Sequence, residues 1–436
     1  MEQIQLWGGV ECTINRVGNR YFNQLERSGH WQRADNDLAR FAELGLRTLR
    51  FPILWETVAP RSLDEFEWSW PDGRLAQLKQ LGIRPIVGLL HHGSGPRYTN
   101  LLDPEFALKL ARFAAAVAQR YPWVDAYTPV NEPLTTARFS GLYGHWYPHG
   151  HDDATFVRAL LNQCRGTALA MEAIRKVNSR AILVQTDDLG RTFSTPELHY
   201  QAVFGNERRW LSWDLLRGSV QRDHPMWAYL IESAAQPHEL DALADDPCSA
   251  DIIGINHYVT SDRFLDENLN NYPTATHGRN RWQSYADDEA VRAHTHISGF
   301  EGAVREAFAR YQTPIALTEV HLGCTPDERL RWFMEAWDAA RSVRAQGIDV
   351  CALTAWALLG SFGWDSLVTQ QHDHYEAGVF EIRDGELHST LLADALAKLT
   401  RGERIDHPVL NSRGWWRRHS RLRASVARSP QFAIAR

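Results

Sequence analysis

The chain has 436 residues, a formal net charge of −6, and 44% hydrophobic and 23% charged residues. This composition is expected of a soluble globular protein, and the length suits one large domain or two ordinary ones. The negative net charge does not indicate nucleic-acid binding. The five cysteines are dispersed without a C-x-x-C pair, which argues against a disulfide framework and against a zinc site.

The start of the chain and its apolar segments bear on location. The first residues lack the basic and then apolar pattern of a secretory signal. No apolar run approaches the ~18–20 residues that a membrane-spanning helix needs. We therefore expect a cytoplasmic protein with no membrane partner.

Eight short apolar and β-branched segments, each bounded by polar or turn residues, predict strands. They are almost continuously apolar rather than alternating, which is typical of strands buried on both faces of a parallel sheet. The predicted strands cover residues 4–11, 48–55, 85–91, 126–132, 181–187, 251–258, 314–319 and 350–359.

Helical patterns lie between the predicted strands. Asp103 is a candidate N-cap for a helix over residues 104–121, with Pro104 in its first turn. Thr325 and Pro326 open another predicted helix. The remaining helical patterns cover residues 32–45 and 153–177.

This alternation predicts an α/β fold with a single (β/α)₈ TIM barrel over residues 1–400. Long βα loops should cover the active face, and the polar residues 260–296 are interpreted as one such loop. Residues 401–436 are predicted to be a basic tail that packs on the barrel or is disordered. Binding of an acidic partner is the alternative for this tail. Its arginines are Arg413, Arg417, Arg418, Arg421, Arg423 and Arg428.

Polar residues end the predicted strands, and the active site of a TIM barrel lies at that edge. Glu132 and Glu319 each close an apolar run, and the barrel would bring them together. Two facing carboxyl groups are the minimum equipment for cleaving a glycosidic bond. The residues at the strand ends are Glu11, Arg50, His91, His92, Asn131, Glu132, Asp187, Asp188, Asn256, Tyr258, Glu319 and Trp356.

These residues, in this order, resemble the retaining β-glycosidases of glycoside hydrolase family 1, from residue 6 to about residue 399. The most specific features are the Asn-Glu-Pro motif at Glu132 and the Thr-Glu pair at Glu319. The stretches 93–96 and 141–145 are more distantly similar to family-1-type domains that are fused to sugar-nucleotide reductase domains in some bacteria. No reductase domain is present in this chain.

The resemblance implies that Glu132 is the general acid/base and Glu319 the nucleophile, with Arg50 and Tyr258 keeping Glu319 ionised. The chemistry agrees, because an acid near neutral pH needs a raised pKa and a nucleophile needs a stabilised anion. The expected substrate is a small glycoside, and no metal or cofactor is expected. The expected substrate-binding residues are Glu11, His91, His92, Asn131, Asn256, Trp356, Trp364 and His372.

Three positions depart from the family pattern. Glu11 stands where a glutamine is usual, and His92 stands where a tryptophan is usual. Gly363 replaces the glutamate that normally grips the far hydroxyls of the sugar. Loss of that acceptor predicts a different sugar, one that is deoxygenated, substituted or held from Glu11 instead.

Three other functions fit the same residues. The covalent intermediate of a retaining glycosidase can pass to a sugar or alcohol, which would make the protein a transglycosylase. Loss of the carboxylate at Gly363 is also compatible with a catalytically impaired sugar-binding barrel. His372 and His374 flank Asp373, and these are metal-ligand types, so a metal-dependent hydrolase is a further alternative.

Overall fold

The protein is described by a computed structural model over residues 3–423, and its centre is a closed barrel of eight parallel strands. Each strand pairs with the next in chain order, and the first strand also pairs with the eighth, which closes the barrel. The predicted (β/α)₈ TIM barrel is therefore confirmed. The strands β1 to β8 are Gln5–Gly9, Thr48–Pro52, Arg84–His91, Ala126–Asn131, Ile182–Asp188, Ile252–Asn256, Ile315–Val320 and Val350–Ala355.

Helices follow the strands and cover the outside of the barrel. The helices α1 to α8 are His30–Glu43, Ser69–Gln80, Phe106–Arg120, Asp153–Val177, Leu211–Leu216, Gly299–Tyr311, Pro326–Ala345 and Leu391–Thr400. Further helices lie between these elements: Gln24–Arg27, Trp55–Val58, Pro133–Ala137, His199–Arg208, Trp227–Glu232, Pro237–Asp245 and Ala290–Ala293. The predicted start of α3 at Pro104 was wrong by two residues, because Asp103 instead forms a separate turn in which its carboxylate accepts the Glu105 N–H at 2.9 Å.

The apolar core has two parts, one inside the barrel and one between the strands and the helices. One cluster takes a single buried residue from each of six strands, so it fills the barrel interior beneath the catalytic edge. Those residues are Trp7, Ile86, Ala126, Val184, Ala316 and Ala352. A much larger cluster joins the outward faces of the strands to the helices. The polar strand ends therefore stand on a rigid, packed base.

The segment 260–296 was interpreted as a loop, and that interpretation was wrong. Three short strands lie in it, Arg263–Asp266, His277–Arg279 and Ser284–Glu289, and they join Thr192–Ser194 in a separate four-stranded sheet. The strands are short and carry many charged residues, so their sequence lacks the apolar pattern of a core strand. We call this segment the β6 excursion. Short hairpins elsewhere are Ile14–Val17 with Arg20–Asn23, Ser361–Phe362 with Tyr375–Glu376, and Phe380–Arg383 with Glu386–Ser389.

The described part of the tail, residues 401–423, lies on the outside of the barrel. Trp416 is 1% exposed and packs against α7. Arg421 donates to backbone carbonyls of the β6 excursion, and Arg423 donates to the buried Asp288 carboxylate through Nη2 at 2.9 Å. These contacts join the tail to both α7 and the excursion. The predicted basic residue Arg428 lies outside the described residues.

Candidate active site

Glu132 stands at the carboxyl end of β4 in a left-handed backbone conformation, with φ 48° and ψ 62°. It immediately precedes the helix Pro133–Ala137. The Asp187 carboxylate accepts the first N–H groups of this helix, from Leu134 at 2.9 Å and Thr135 at 3.3 Å. Burial raises the pKa of Asp187 to about 6. A non-glycine residue with positive φ is strained, so this capping arrangement is what holds Glu132 at the barrel edge.

Glu319 lies within β7 at an irregularity in the strand pairing. The register against β6 shifts between Leu317 and Glu319, which is the signature of a bulge that re-aims a side chain. Arg50 Nη1 donates to Glu319 Oε1 at 2.8 Å, and the Tyr258 hydroxyl donates to Glu319 Oε2. Both oxygens of this buried carboxylate therefore have strong donors.

The two glutamates are both buried but differ in the donors around them. Burial raises the pKa of Glu132 well above its ordinary value, and the nearby Glu319 charge raises it further. Burial also raises the pKa of Glu319, but Arg50 and the Tyr258 hydroxyl oppose this shift. The proton that the pair retains therefore belongs on Glu132.

Two asparagines connect these carboxyl groups to the strands. Asn131 Oδ1 accepts from Arg50 Nη2 at 2.5 Å, so Arg50 bridges β4 and β7. The Asn256 amide donates to Glu132 Oε1, while its Oδ1 accepts from Thr318 Oγ1 at 2.7 Å. Asn256 was expected to bind substrate, and the structure gives its side chain a partner in the acid/base candidate. Thr318 was not singled out from the sequence, although it adjoins Glu319.

The two histidines at the end of β3 are neutral at pH 7. Burial lowers the pKa of His91 well below its ordinary value and that of His92 to about 3. Their Nε2 atoms lie 3.3 and 3.4 Å from Asn131 Nδ2, as acceptors for its two N–H groups. His92 has a positive φ of 55°, and its Nε2 lies 3.9 Å from Glu132 Oε2. A neutral ring therefore faces Glu132 and does not compete for its proton.

Trp356 forms the floor beside the nucleophile candidate. Its indole stacks on His91 with 5.6 Å between ring centroids, and the Arg50 guanidinium lies 4.7 Å from it. A Cβ atom on Gly9 would lie 2.5 Å from this ring, so glycine in β1 is what allows the indole to approach. Glu11 is also at this end, where burial raises its pKa to about 7.

The loop after β8 supplies the wall of the site. Trp364 packs edge-on against His92 at 5.6 Å and against Trp146 at 6.2 Å. The sequence reasoning missed Trp146, whose only signal was an aromatic-rich stretch after β4. His372 lies at the outer edge, where Asp365 accepts from its Nε2 at 2.9 Å and raises its pKa.

Within residues 3–423, no group of three or more His, Cys, Asp or Glu side chains is arranged to hold a metal ion. Nor does that range contain a helix with the length and apolar character needed to cross a membrane.

A parallel eight-stranded barrel with two buried glutamates at the carboxyl ends of its strands is the arrangement of the barrel glycosidases. The chain belongs to glycosyl hydrolase family 1, whose family model matches residues 25–375.

The relatives differ in how much of the chain they match. A 6-phospho-beta-glucosidase from Dickeya chrysanthemi is 24% identical over 372 residues, which cover 75% of each chain. A rice protein (Oryza sativa subsp. japonica) named probable inactive beta-glucosidase 14 is 28% identical over 130 residues, 27% of this chain and 25% of that protein. The family 1 β-glucosidase of Thermotoga maritima superposes with a TM-score of 0.68 at 16% identity, covering 87% of this chain and 88% of that one.

Proposed function

We propose that the protein is a retaining β-glycoside hydrolase that acts by double displacement. One observation carries this proposal: Arg50 and Tyr258 donate to Glu319, whereas Glu132 is buried beside that charge with an amide donor. One carboxyl group is thereby suited to be a nucleophile and the other to be an acid.

In the first step, a Glu319 oxygen bonds to the anomeric carbon as the bond from that carbon to the leaving oxygen breaks. Glu132 gives its proton to the leaving oxygen. Esterification removes the Glu319 charge, which was one cause of the raised pKa of Glu132. The ionised Glu132 then takes a proton from water, whose oxygen displaces Glu319 from the anomeric carbon.

The surrounding residues hold the sugar and keep these charges in place. Arg50 donates both to Asn131 Oδ1 and to Glu319, so one guanidinium orients this amide and the nucleophile. His91 and Trp356 offer stacked ring faces as a floor, and Trp364 closes the wall. Aromatic faces of this kind pack on the apolar C–H faces of a pyranose.

The far end of the sugar site is altered. Gly363 has φ 71°, and a Cβ atom there would lie 3.4 Å from Arg27 Nη1. Arg27 donates through Nη2 to the His372 carbonyl, and its Nη1 is a buried donor with no acceptor among the described residues. The guanidinium, whose Nη2 lies 3.9 Å from the exposed Asp373 carboxylate, is therefore close to the backbone at Gly363. This favours a sugar with an anionic group at that end over unsubstituted glucose.

Trapping with 2-deoxy-2-fluoro glycosides, read by mass spectrometry, tests the mechanism. The panel holds the glucoside, the galactoside, the 6-phosphoglucoside and the glucuronide. We expect a sugar adduct on the peptide that contains Glu319, formed fastest with one of the two anionic sugars. The Glu319→Gln variant should form no adduct, while the exposed control Glu301→Gln should react as the parent does.

The outcomes separate the alternatives. An adduct that water releases slowly but an added alcohol releases quickly would favour a transglycosylase. Absence of any adduct in the parent, with no turnover of any glycoside, would refute the hydrolase and leave the sugar-binding barrel. If the unsubstituted glucoside reacted fastest, the proposal that the far end of the sugar site favours an anionic sugar would be refuted.

A further inference from the structure

The nucleophile candidate depends on a residue that lies outside the barrel strands. Strand β6 ends at Asn256, and Tyr258, whose hydroxyl donates to Glu319, follows two residues later. The pairing of β6 with β5 stops at Asn256, which faces Asp188. A side chain on a loop keeps its aim only where further contacts fix the backbone that carries it. The contacts that hold Tyr258 therefore bear directly on the charge of Glu319.

A serine at the start of the β6 excursion closes the chain after Tyr258 into a turn. The Tyr258 N–H donates to Ser261 Oγ at 2.9 Å, and the Ser261 N–H donates to the Tyr258 carbonyl at 3.1 Å. Ser261 Oγ itself donates to Asp188 Oδ1, at the end of β5. A carboxylate only accepts, so the serine proton points to Asp188 and a lone pair of Oγ faces the Tyr258 N–H. Asp188 thus orients the hydroxyl that holds Tyr258.

The chain that follows β5 lies directly against the same turn. A Cβ atom on Gly190 would clash with the Ser261 carbonyl group, so glycine is what lets the two backbones meet. Asp262, the next residue, is 3% exposed and accepts the N–H groups of Arg191 at 2.8 Å and Ser298 at 2.6 Å. The turn is therefore held by the loop after β5 and by the start of α6 as well as by its own hydrogen bonds.

We propose that Asp188 and Ser261 are positioning residues, which hold the Tyr258 hydroxyl on the carboxylate of Glu319. Neither residue touches the substrate in this role, because both act through Tyr258. The role rests on the proposed function, since it takes Glu319 as the nucleophile. The state of the nucleophile then depends on one hydrogen bond between the end of β5 and the turn after β6.

The Asp188 charge has a second effect, which the tests must separate from the first. Burial and the nearby Glu319 charge are the largest causes of the raised pKa of Glu132, and the Asp188 charge adds to them. Asp188 thus acts on Glu319 by position and on Glu132 by charge. A substitution at Ser261 isolates the effect of position, because it leaves the Asp188 charge in place.

A double-mutant cycle of Ser261→Ala and Tyr258→Phe tests the proposal, read as kcat/KM of the selected aryl glycoside against pH. Ser261→Ala should lower kcat/KM about two- to tenfold on the acidic limb, the value of one hydrogen bond, and should leave the basic limb in place. In Tyr258→Phe protein it should cause no further loss, because the hydroxyl that Ser261 positions is gone. Thr99→Ala is the matched control. Its buried hydroxyl donates to a carboxylate of the loop after β3, Asp103 Oδ2 at 2.8 Å, and the parent profile should be kept.

Two substitutions at Asp188 separate its hydrogen bond from its charge. Asp188→Asn keeps an oxygen that accepts from Ser261, so the acidic limb should stay in place. Asp188→Ala removes that oxygen and should move the acidic limb to higher pH, as Ser261→Ala does. Both variants remove a charge that raises the pKa of Glu132, so the basic limb should move to lower pH in both.

Hydrogen–deuterium exchange, read by mass spectrometry, follows the turn without any need for activity. The Tyr258 amide should exchange faster in Ser261→Ala and in Asp188→Ala than in the parent, and at the parent rate in Thr99→Ala. Equal exchange at Tyr258 in the parent and in Ser261→Ala would overturn the proposal.

The kinetic cycle can overturn it independently. Equal fractional losses of kcat/KM from Ser261→Ala in the parent and in the Tyr258→Phe background would show that the serine is merely structural. An acidic limb that moves as far in Asp188→Asn as in Asp188→Ala would show that the hydrogen bond plays no part. Failure of the proposed function gives a different result, namely faster exchange at Tyr258 in a protein that forms no adduct on Glu319 and turns over no glycoside. That result would remove the catalytic role of the turn as well.

Discussion

Replacing Tyr258 by phenylalanine removes one hydroxyl and leaves the ring in place. That hydroxyl donates to Glu319 Oε2, while Arg50 occupies the other oxygen at 2.8 Å. The change therefore weakens the stabilisation of the Glu319 anion without removing its main cationic partner. Because the anion loses a donor, the pKa of Glu319 should rise above its already raised value.

The magnitude follows from the type of bond that is lost. A hydrogen bond to a charged group contributes about 1.5–3 kcal/mol, and one pKa unit corresponds to about 1.36 kcal/mol. The pKa of Glu319 should rise by roughly one to two units. The proposed reaction needs Glu319 ionised and Glu132 protonated, so its rate falls on the acidic side as Glu319 gains a proton. The acidic limb of the pH profile should thus move to higher pH by the same amount.

The assay is kcat/KM against pH for the aryl glycoside that the trapping panel selects. Tyr272→Phe is the matched control, because its hydroxyl also donates to a carboxylate, Asp266 at 2.9 Å, but outside the site. We expect the control to keep the parent profile. An acidic limb that stays in place in Tyr258→Phe would show that Tyr258 does not stabilise the charged nucleophile, and the reasoning would be wrong.

Four further results are expected. Glu132→Gln should slow turnover of substrates with poor leaving groups by about 10²–10⁴-fold. It should also remove the basic limb of the pH profile. Equal losses of rate for good and poor leaving groups would contradict the role of Glu132 as the acid. The pKa of Glu11 is raised to about 7, so KM should change with pH near 7 as Glu11 ionises. In steady-state kinetics of Glu11→Gln, this change of KM should be absent. Arg423→Met leaves the buried Asp288 carboxylate without this partner, so it should lower the free energy of unfolding by about 1–3 kcal/mol in denaturant unfolding. Arg401→Met, the control, breaks an exposed ion pair and should change the free energy of unfolding little. Activity should survive exhaustive chelation, and its loss would revive the metal-dependent hydrolase.

The barrel could be predicted because its strands carry a local signal. Each buried parallel strand is a short apolar run, and the polar residue that ends it marks the catalytic edge. The position of Glu319 in the sequence followed from that rule. The direction of its side chain depends on a bulge near Thr318, which no residue pattern indicates.

Residues that act through the tertiary structure could not be found in this way. Trp146 reaches Trp364 from the segment after β4, and Arg27 reaches Gly363 from a short helix near the start of the chain. The β6 excursion was misread because its strands pair in a small, charged sheet rather than in the core. The contacts of Trp146 and Arg27 join residues that are hundreds of positions apart, and sequence periodicity reports only near neighbours.

The tail has a consequence for how the protein is made. Arg421 and Arg423 bind the β6 excursion, yet they leave the ribosome after every strand of the barrel has been synthesised. The contacts of Arg421 and Arg423 with the excursion therefore form only after the barrel strands have been synthesised. A stop codon before Trp416, or a bulky fusion joined at that point, would spare the barrel strands and the pairing of the excursion with Thr192–Ser194, but it would remove the contacts of the excursion with the tail.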